Sequence, residues 1–241
     1  MPATWYQAQV LDIEDVNSGV RRFFLKTDSA FPAFQAGQFI TFDLPVGEKR
    51  LHRWKSYSIA NAPNDDGLLE LCIVRHPQGM GTAYLFDKIS KGSTLTFKGP
   101  EGNFILPQNL ESTQLIMVCT GTGIAPFRSM IQEVTLKQIP FLRMHLIFGA
   151  RKVEDILYRE EMEKLAEILP NFSYDICLSK EPSWPGYKGH VHQVYLEKYK
   201  AIDKQNLFYL CGWTKMIDEA VINLVANLGY DKSRVRYELY G

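Results

Sequence analysis

The chain reads as two folds in series, an antiparallel β-barrel followed by an α/β domain with a doubly wound parallel sheet. Three observations predict this. The first hundred residues are short apolar-rich runs separated by turn residues, the texture of an antiparallel barrel or sandwich. After Pro107, apolar runs alternate with amphipathic segments of helical period, which calls for a parallel sheet with helices on its faces. The stretch 115-LIMVCTGTGIAPFRSMIQEV-134 sets two glycines and a proline between one such run and one such helix. A length of 241 residues accommodates two modest domains. The change of texture near 107–113 divides them into 1–108 and 109–241.

The predicted strands of the first part are 5-WYQAQVLDIEDV-16, 20-VRRFFLKTD-28, 38-QFITFDL-44, 56-SYSIAN-61, 68-LLELCIVRH-76 and 93-STLTFKG-99. Asn17-Ser18-Gly19, Pro45-Val46-Gly47 and Asn64-Asp65-Asp66-Gly67 supply turns between them. One helix is expected near 80–89. In the second part the strands are 115–120, 143–150, 172–179, 207–212 and 235–240, and the helices are about 125–137, 157–168, 191–199 and 214–228. Continuous rather than alternating hydrophobicity over 115–119 predicts a strand buried on both faces.

Composition excludes several classes. Lysines and arginines number 27 and aspartates and glutamates 27, so no net charge draws the chain to nucleic acid or to an anionic membrane. No apolar run is long enough for a membrane span, and the start lacks the basic and apolar regions of a secretory signal. Cys72, Cys119, Cys177 and Cys211 show no C-x-x-C or iron–sulfur spacing. They are expected to be buried, reduced thiols of a cytoplasmic protein. His190 and His192, two apart, suit no zinc-binding helix face, and no metal is assigned.

In an open parallel sheet, ligands sit outside the C-terminal strand ends. Gly121 and Gly123 fall just past such an end. Glycine adopts positive φ and lets a diphosphate approach the backbone, and the helix that follows offers unpaired N–H groups to an anion. Pro126 is tolerated in the first helical turn. The same pattern also makes a tight strand-to-helix turn with no ligand. The third glycine of the dinucleotide fingerprint is replaced by proline.

Gly121-Thr122-Gly123-Ile124-Ala125-Pro126 resembles the pyridine-nucleotide motif of the ferredoxin–NADP reductase family. Lys55-Ser56-Tyr57-Ser58 resembles its flavin motif R-x-Y-S, and Gly79-Met80-Gly81-Thr82 its flavin-diphosphate turn. Gly99-Pro100-Glu101-Gly102-Asn103-Phe104, Cys211-Gly212 and Glu238-Leu239-Tyr240 are similar to three further family segments. The order holds over roughly residues 5–240. The resemblance implies a flavin barrel over 1–108, a pyridine-nucleotide domain over 109–241, and an FAD-dependent NAD(P)H oxidoreductase.

By that resemblance, Tyr57 packs on the flavin and Ser58 offers its hydroxyl near the flavin N5 atom. Lys55 stands where the family has Arg, keeping the charge without the bidentate fork; Arg53, two residues upstream, is a candidate to compensate. Gly81 and Thr82 are implied to hold the flavin diphosphate, which favours FAD over FMN. Cys211 is implied beside the nicotinamide. Glu238 is implied near Ser58 and Cys211 as a functional carboxylate. Tyr240 is implied to stack on the flavin and move aside for the nicotinamide. Ser58, Cys211, Glu238 and Tyr240 form the expected catalytic set.

Ser179-Lys180-Glu181 resembles the Ser-Arg-Glu that NADP-using members of the family carry after the third α/β strand, and with Arg151 after the preceding strand it would offer cations and a hydroxyl to a 2′-phosphate, which favours NADP. The segment 184-WPGYKGHV-191 has a texture also found in NADH-using relatives, so NAD stays open. The expected partner is a separate one-electron carrier such as ferredoxin or flavodoxin. The alternatives are an oxygenase fed by this chain as its reductase component, and a non-enzymatic flavin-binding regulatory subunit. The last is disfavoured because no C-terminal cysteine cluster is present.

Overall fold

The computed structural model describes residues 4–28 and 30–240. The chain divides into two compact units. The first holds the residues up to Ile105 together with Ala125–Gln138, and the second holds Leu106–Ile124 together with the chain from Ile139 onward.

In the first unit, strands β1 (Tyr6–Asn17), β2 (Val20–Thr27), β3 (Phe39–Asp43), β4 (Trp54–Ser58), β5 (Leu68–Val74) and β6 (Thr94–Glu101) pair in the order β4-β3-β6-β1-β2-β5. Every pair is antiparallel. The sheet returns on itself just past β4. Ile59 bridges to Leu71, and the Ala60 N–H donates to the Glu70 carbonyl at 2.8 Å. That return makes the sheet a barrel and removes two edges that would otherwise stand unpaired. Phe23, Leu25, Ile40, Phe42, Leu71 and Phe97 fill the interior. Each such side chain contributes about 1.5–3 kcal/mol on burial. Helices α1 (Arg50–Arg53) and α2 (Met80–Lys88) interrupt the strands. At four residues, α1 is too short to leave a period in the sequence, and it was not predicted.

The second unit contains β7 (Gln114–Thr120), β8 (Arg143–Ala150), β9 (Phe172–Leu178), β10 (Tyr187–Lys188), β11 (Asn206–Trp213) and β12 (Val235–Tyr240). The parallel order is β10-β9-β8-β7-β11-β12. Helix α3 (Ile124–Leu136) follows β7, but from Ala125 onward its residues belong to the first unit. Helices α4 (Arg159–Ile168), α5 (His192–Lys198) and α6 (Thr214–Val221) complete the crossovers. From β7 the strand order runs out to β10 on one side and to β12 on the other. The reversal falls between β7 and β11, and a crevice outside strand C-termini at such a reversal is where doubly wound sheets take ligands. Leu115–Cys119 is buried throughout, as its unbroken hydrophobicity predicted, and so is Leu207–Cys211.

Local details depart from the sequence reading. The strand expected over 56–61 is β4 at 54–58, and residues 59–60 form the barrel closure instead. Helix α4 starts at Arg159 rather than 157 because Tyr158 has φ +53, outside the helical region. Helix α6 gives way to a π-helical stretch over Ile222–Asn227. Strand β10 has only two residues and carried no signal.

Candidate functional site

The C-terminal ends of β7 and β11 approach each other closely, and glycines make this possible. Gly121–Gly123 forms a single 3-10 turn leading into α3. Its two glycines have different reasons. Gly121 has φ +52 with open space where a Cβ would be, so its need is conformational. A Cβ on Gly123 would overlap the Cys211 carbonyl oxygen, so its need is contact between backbones. Across the gap, a Cβ on Gly212 would lie 2.6 Å from Thr120 Oγ1 and 2.8 Å from Met216 Cε. The sequence argument gave both turn glycines one purpose, room for a diphosphate; the open space lies at Gly121 and not at Gly123. Thr122 is half-buried beside them, and Pro126 sits in the first turn of α3, where a missing N–H costs nothing.

Thr120 closes β7 with a buried hydroxyl that has no hydrogen-bond partner among the described residues. A buried polar atom without a partner at a strand end, beside an open glycine, fits a site that a polar ligand completes. Thr120 was missed in the sequence. The signal was a hydroxyl at the end of an apolar run, directly before the glycine.

Cys211 is fully buried and is the register partner of Cys119 on β7 and of Glu238 on β12. Burial, with Cys211 next in weight, raises the Cys119 thiol well above its ordinary value. Glu238 is half-buried. Tyr240 pairs in register with Trp213, which is half-exposed. The Tyr240 side chain, and the stacking expected of it, lie outside the described residues, as does Gly241.

Two loops meet at the ends of β8 and β9. The Ser179 N–H donates to the Ala150 carbonyl at 3.1 Å, and the Lys180 N–H donates to the Arg151 carbonyl at 2.8 Å. Arg151, Ser179 and Lys180 are therefore neighbours, all exposed. The second unit thus brings together the glycine turn, Cys211 and Glu238 at the order reversal, with Arg151 and Lys180 past the ends of β8 and β9, one and two strands from β7.

In the first unit, Lys55, Tyr57 and Ser58 all lie on β4, opposite Phe42, Ile40 and Phe39. Ser58 is buried. The Tyr57 ring packs 5.8 Å from that of Phe42, and burial raises its phenol, which stays a neutral donor. The stem of Lys55 crosses Gly81 of α2, where a Cβ would lie 2.8 Å from Lys55 Cγ, and its ammonium reaches the Leu51 carbonyl at 3.1 Å. The flavin-motif strand and the diphosphate-turn helix are thus in contact through a glycine.

The Thr82 hydroxyl accepts from the His76 N–H and donates to the Gly79 carbonyl, both at 3.1 Å, so it closes its own turn. Gly81 and Thr82 lie in the first turn of α2, where a helix cannot pair its own N–H groups and offers them to an anion. Arg53 does not compensate for the lysine at position 55. It is the last residue of α1, and Asp43 holds its guanidinium bidentately at 2.8 and 2.6 Å.

The family model of the oxidoreductase FAD-binding domain matches residues 7–105, and that of the oxidoreductase NAD-binding domain matches residues 117–221. Ferredoxin–NADP reductase B of Sorangium cellulosum is 31% identical over 98% of this chain and 97% of its own. The phenol hydroxylase P5 protein of Acinetobacter pittii is 30% identical over 94% of this chain, which spans 63% of that protein. Among solved structures, the Amycolatopsis cytochrome P450 reductase GcoB superposes with a TM-score of 0.85 at 27% identity, covering 99% of this chain and 70% of that one. A ferredoxin NADP+ reductase of Neisseria gonorrhoeae with bound FAD and NADP shares the fold, with a TM-score of 0.81 at 23% identity over 98% and 99% of the two chains. With its barrel and its doubly wound sheet both accounted for, this chain belongs to the ferredoxin–NADP reductase family of FAD- and NAD(P)-dependent oxidoreductases.

Proposed function

We propose that this chain is an NADPH-dependent flavin reductase that exchanges electrons with a separate one-electron carrier such as ferredoxin or flavodoxin. Residues 1–108 are assigned to the flavin domain and 109–241 to the nucleotide domain. The observation that carries the choice of NADPH is the pairing of Arg151 with Lys180 by two backbone hydrogen bonds between their loops. Two exposed cations and the Ser179 hydroxyl at adjacent strand ends suit a 2′-phosphate.

Bound FAD supplies hydride acceptance from the nicotinamide and release of electrons one at a time. The residues do the holding. In the flavin domain, Tyr57 gives a ring face, Ser58 a buried hydroxyl for the flavin, Lys55 a cation, and the N–H groups of Gly81 and Thr82 an anion cradle. In the nucleotide domain, Gly121 leaves open space for the pyridine-nucleotide diphosphate with Thr122 beside it, Gly123 and Pro126 set the turn and the start of the helix, and Cys211 would border the nicotinamide. Glu238, beside Cys211 in register, is a carboxylate able to accept a proton. By the family resemblance, Tyr240 would be the residue that gives way to the nicotinamide. Among the described residues no helix is long and apolar enough to cross a membrane, and none of the four buried cysteines is in a disulfide; a cytoplasmic location accords with both.

The test is anaerobic bleaching of the purified, FAD-loaded protein by NADPH and by NADH. Replacing Lys180 or Arg151 by alanine raises the NADPH requirement about 10-fold or more, the weight of a charged hydrogen bond, and leaves that for NADH unchanged. Equal effects on both nucleotides overturn the assignment.

A second reading, an NADH-using reductase component for an oxygenase, is favoured by Trp184. Its indole N–H donates to the Ile176 carbonyl at 3.2 Å and pins the segment 184–191 whose texture resembles that of NADH users. Faster bleaching by NADH selects it.

A further inference from the structure

Helix α3 begins at the glycine turn, yet from Ala125 its side chains pack within the first unit. Phe127 lies 5.7 Å from Phe104, and Met130 occupies the space that a side chain on Gly37 would take. Three polar side chains on this helix then meet three successive residues of the barrel. Arg128 Nη1 donates to the Ala60 carbonyl at 2.9 Å, Ser129 Oγ to the Asn61 carbonyl at 2.6 Å, and Gln132 Oε1 accepts the Ala62 N–H at 3.0 Å. Residues 60–62 come one residue after the strand that carries Lys55, Tyr57 and Ser58.

Arg128 also donates to Glu70 Oε2 at 2.9 Å. The other oxygen of Glu70 accepts from Arg22 Nε at 2.7 Å, and Arg22 reaches Glu14 at 2.8 Å. The four side chains alternate in charge and run inward, from Glu14 at 53% exposure through Arg22 at 22% to Glu70 and Arg128 at 8% each. A buried ion pair is a poor source of net stability, since apolar side chains of the same volume generally do as well. It does fix geometry, because the planar guanidinium and the carboxylate hold each other in few orientations. Glu70 is itself tied to the segment, its N–H donating to Asn61 Oδ1 at 2.6 Å and its carbonyl accepting from Ala60. The clamp therefore seats the exit of the flavin strand on the helix that the nucleotide turn begins.

We infer that Arg128 is a positioning residue: through the Ala60 carbonyl and Glu70 it couples diphosphate binding at the glycine turn to the placement of Ser58 against the flavin. This rests on the reading of β4 as the flavin strand. The test uses the full chain loaded with FAD and titrated with 2′-phospho-ADP-ribose, which carries the diphosphate but no nicotinamide ring. In the wild type the ligand perturbs the visible spectrum of the bound flavin, and its Kd values for oxidised and reduced protein differ about 5-fold or more, the lower range of coupling between sites. In Arg128→Lys and Glu70→Gln that ratio moves to within about 2-fold of one while FAD stays bound. Arg128→Met removes the fork altogether, and where it does not fold, Ser129→Ala reads the same clamp from its neighbouring bond. A merely structural role lowers the unfolding midpoint of the variants and leaves the ratio alone. A wild-type ratio of one, or variants that keep the wild-type ratio, overturns the inference. Absence of FAD from the wild-type protein overturns the reading of β4 instead, and the two failures are distinguishable.

Discussion

At the scale of single residues, the turn glycines separate into a conformational and a steric requirement. Gly121 needs a left-handed backbone, which costs an L-residue about 1–2 kcal/mol, and asparagine tolerates it better than most. Gly123 needs the absence of a Cβ against the Cys211 carbonyl, which no choice of side chain relieves. Gly121→Asn is therefore expected to keep the urea midpoint near that of the wild type, whereas Gly123→Ala loses about 3 kcal/mol, the upper range for overpacking. Equal midpoints for the two variants would mean that β7 and β11 do not approach as described. The glycines were legible as a motif. Which of them faces open space was not, because that depends on a carbonyl 88 positions away in the chain (Cys211 less Gly123). Arg53 shows the same limit: its spacing from Lys55 suggested a shared face, but its partner is Asp43 on the neighbouring strand.

At the scale of elements, β8, β9 and α5 are joined by a polar cluster inside the second unit. His145 is buried, its Nε2–H donating to Asp175 Oδ2 at 2.8 Å and its Nδ1 accepting from Tyr199 Oη at 2.7 Å. The carboxylate can only accept, which fixes this tautomer. Burial lowers the His145 pKa and outweighs the pull of Asp175; burial likewise lowers that of His192. For Asp175, burial acts upward, but the bonds from His145 and Lys198 outweigh it and hold the carboxyl below its ordinary value. All three folded values are depressed, so below each ordinary value the unfolded chain binds more protons than the fold, and stability falls as pH falls. The denaturation midpoint is expected to drop as pH goes below 6.5, where the histidines begin to titrate in the unfolded chain, and again below 3.8, where Asp175 does. His145→Gln should flatten the first decline, by up to about 1.4 kcal/mol per pH unit. A slope unchanged by that substitution would place the pH sensitivity elsewhere. None of this cluster was foreseen, since His145 sits in a strand run indistinguishable by pattern from its apolar neighbours.

At the scale of the whole molecule, all four cysteines are free and buried, and burial governs their reactivity. Burial pushes the Cys177 thiol up to about 12 and Cys119 higher than its ordinary value, which withholds the nucleophilic thiolate. An aromatic disulfide reagent should accordingly find no fast thiol in the native protein and all four after denaturation without reductant. A rapid native reaction would show that one of these strand ends opens to solvent.

The sequence by itself determined the two-domain architecture, the order of the longer strands and helices and the family, because these rest on local period, turn residues and short motifs that survive without their neighbours. The closing of the barrel through residues 59 and 60, the reversal between β7 and β11, the hydroxyl of Thr120 left without a partner, and the seating of α3 on the barrel by Arg128 were decided only in three dimensions. Each depends on which distant backbone atom arrives beside a side chain. Spacing along the chain carries no record of that arrival, because packing and not periodicity selects it.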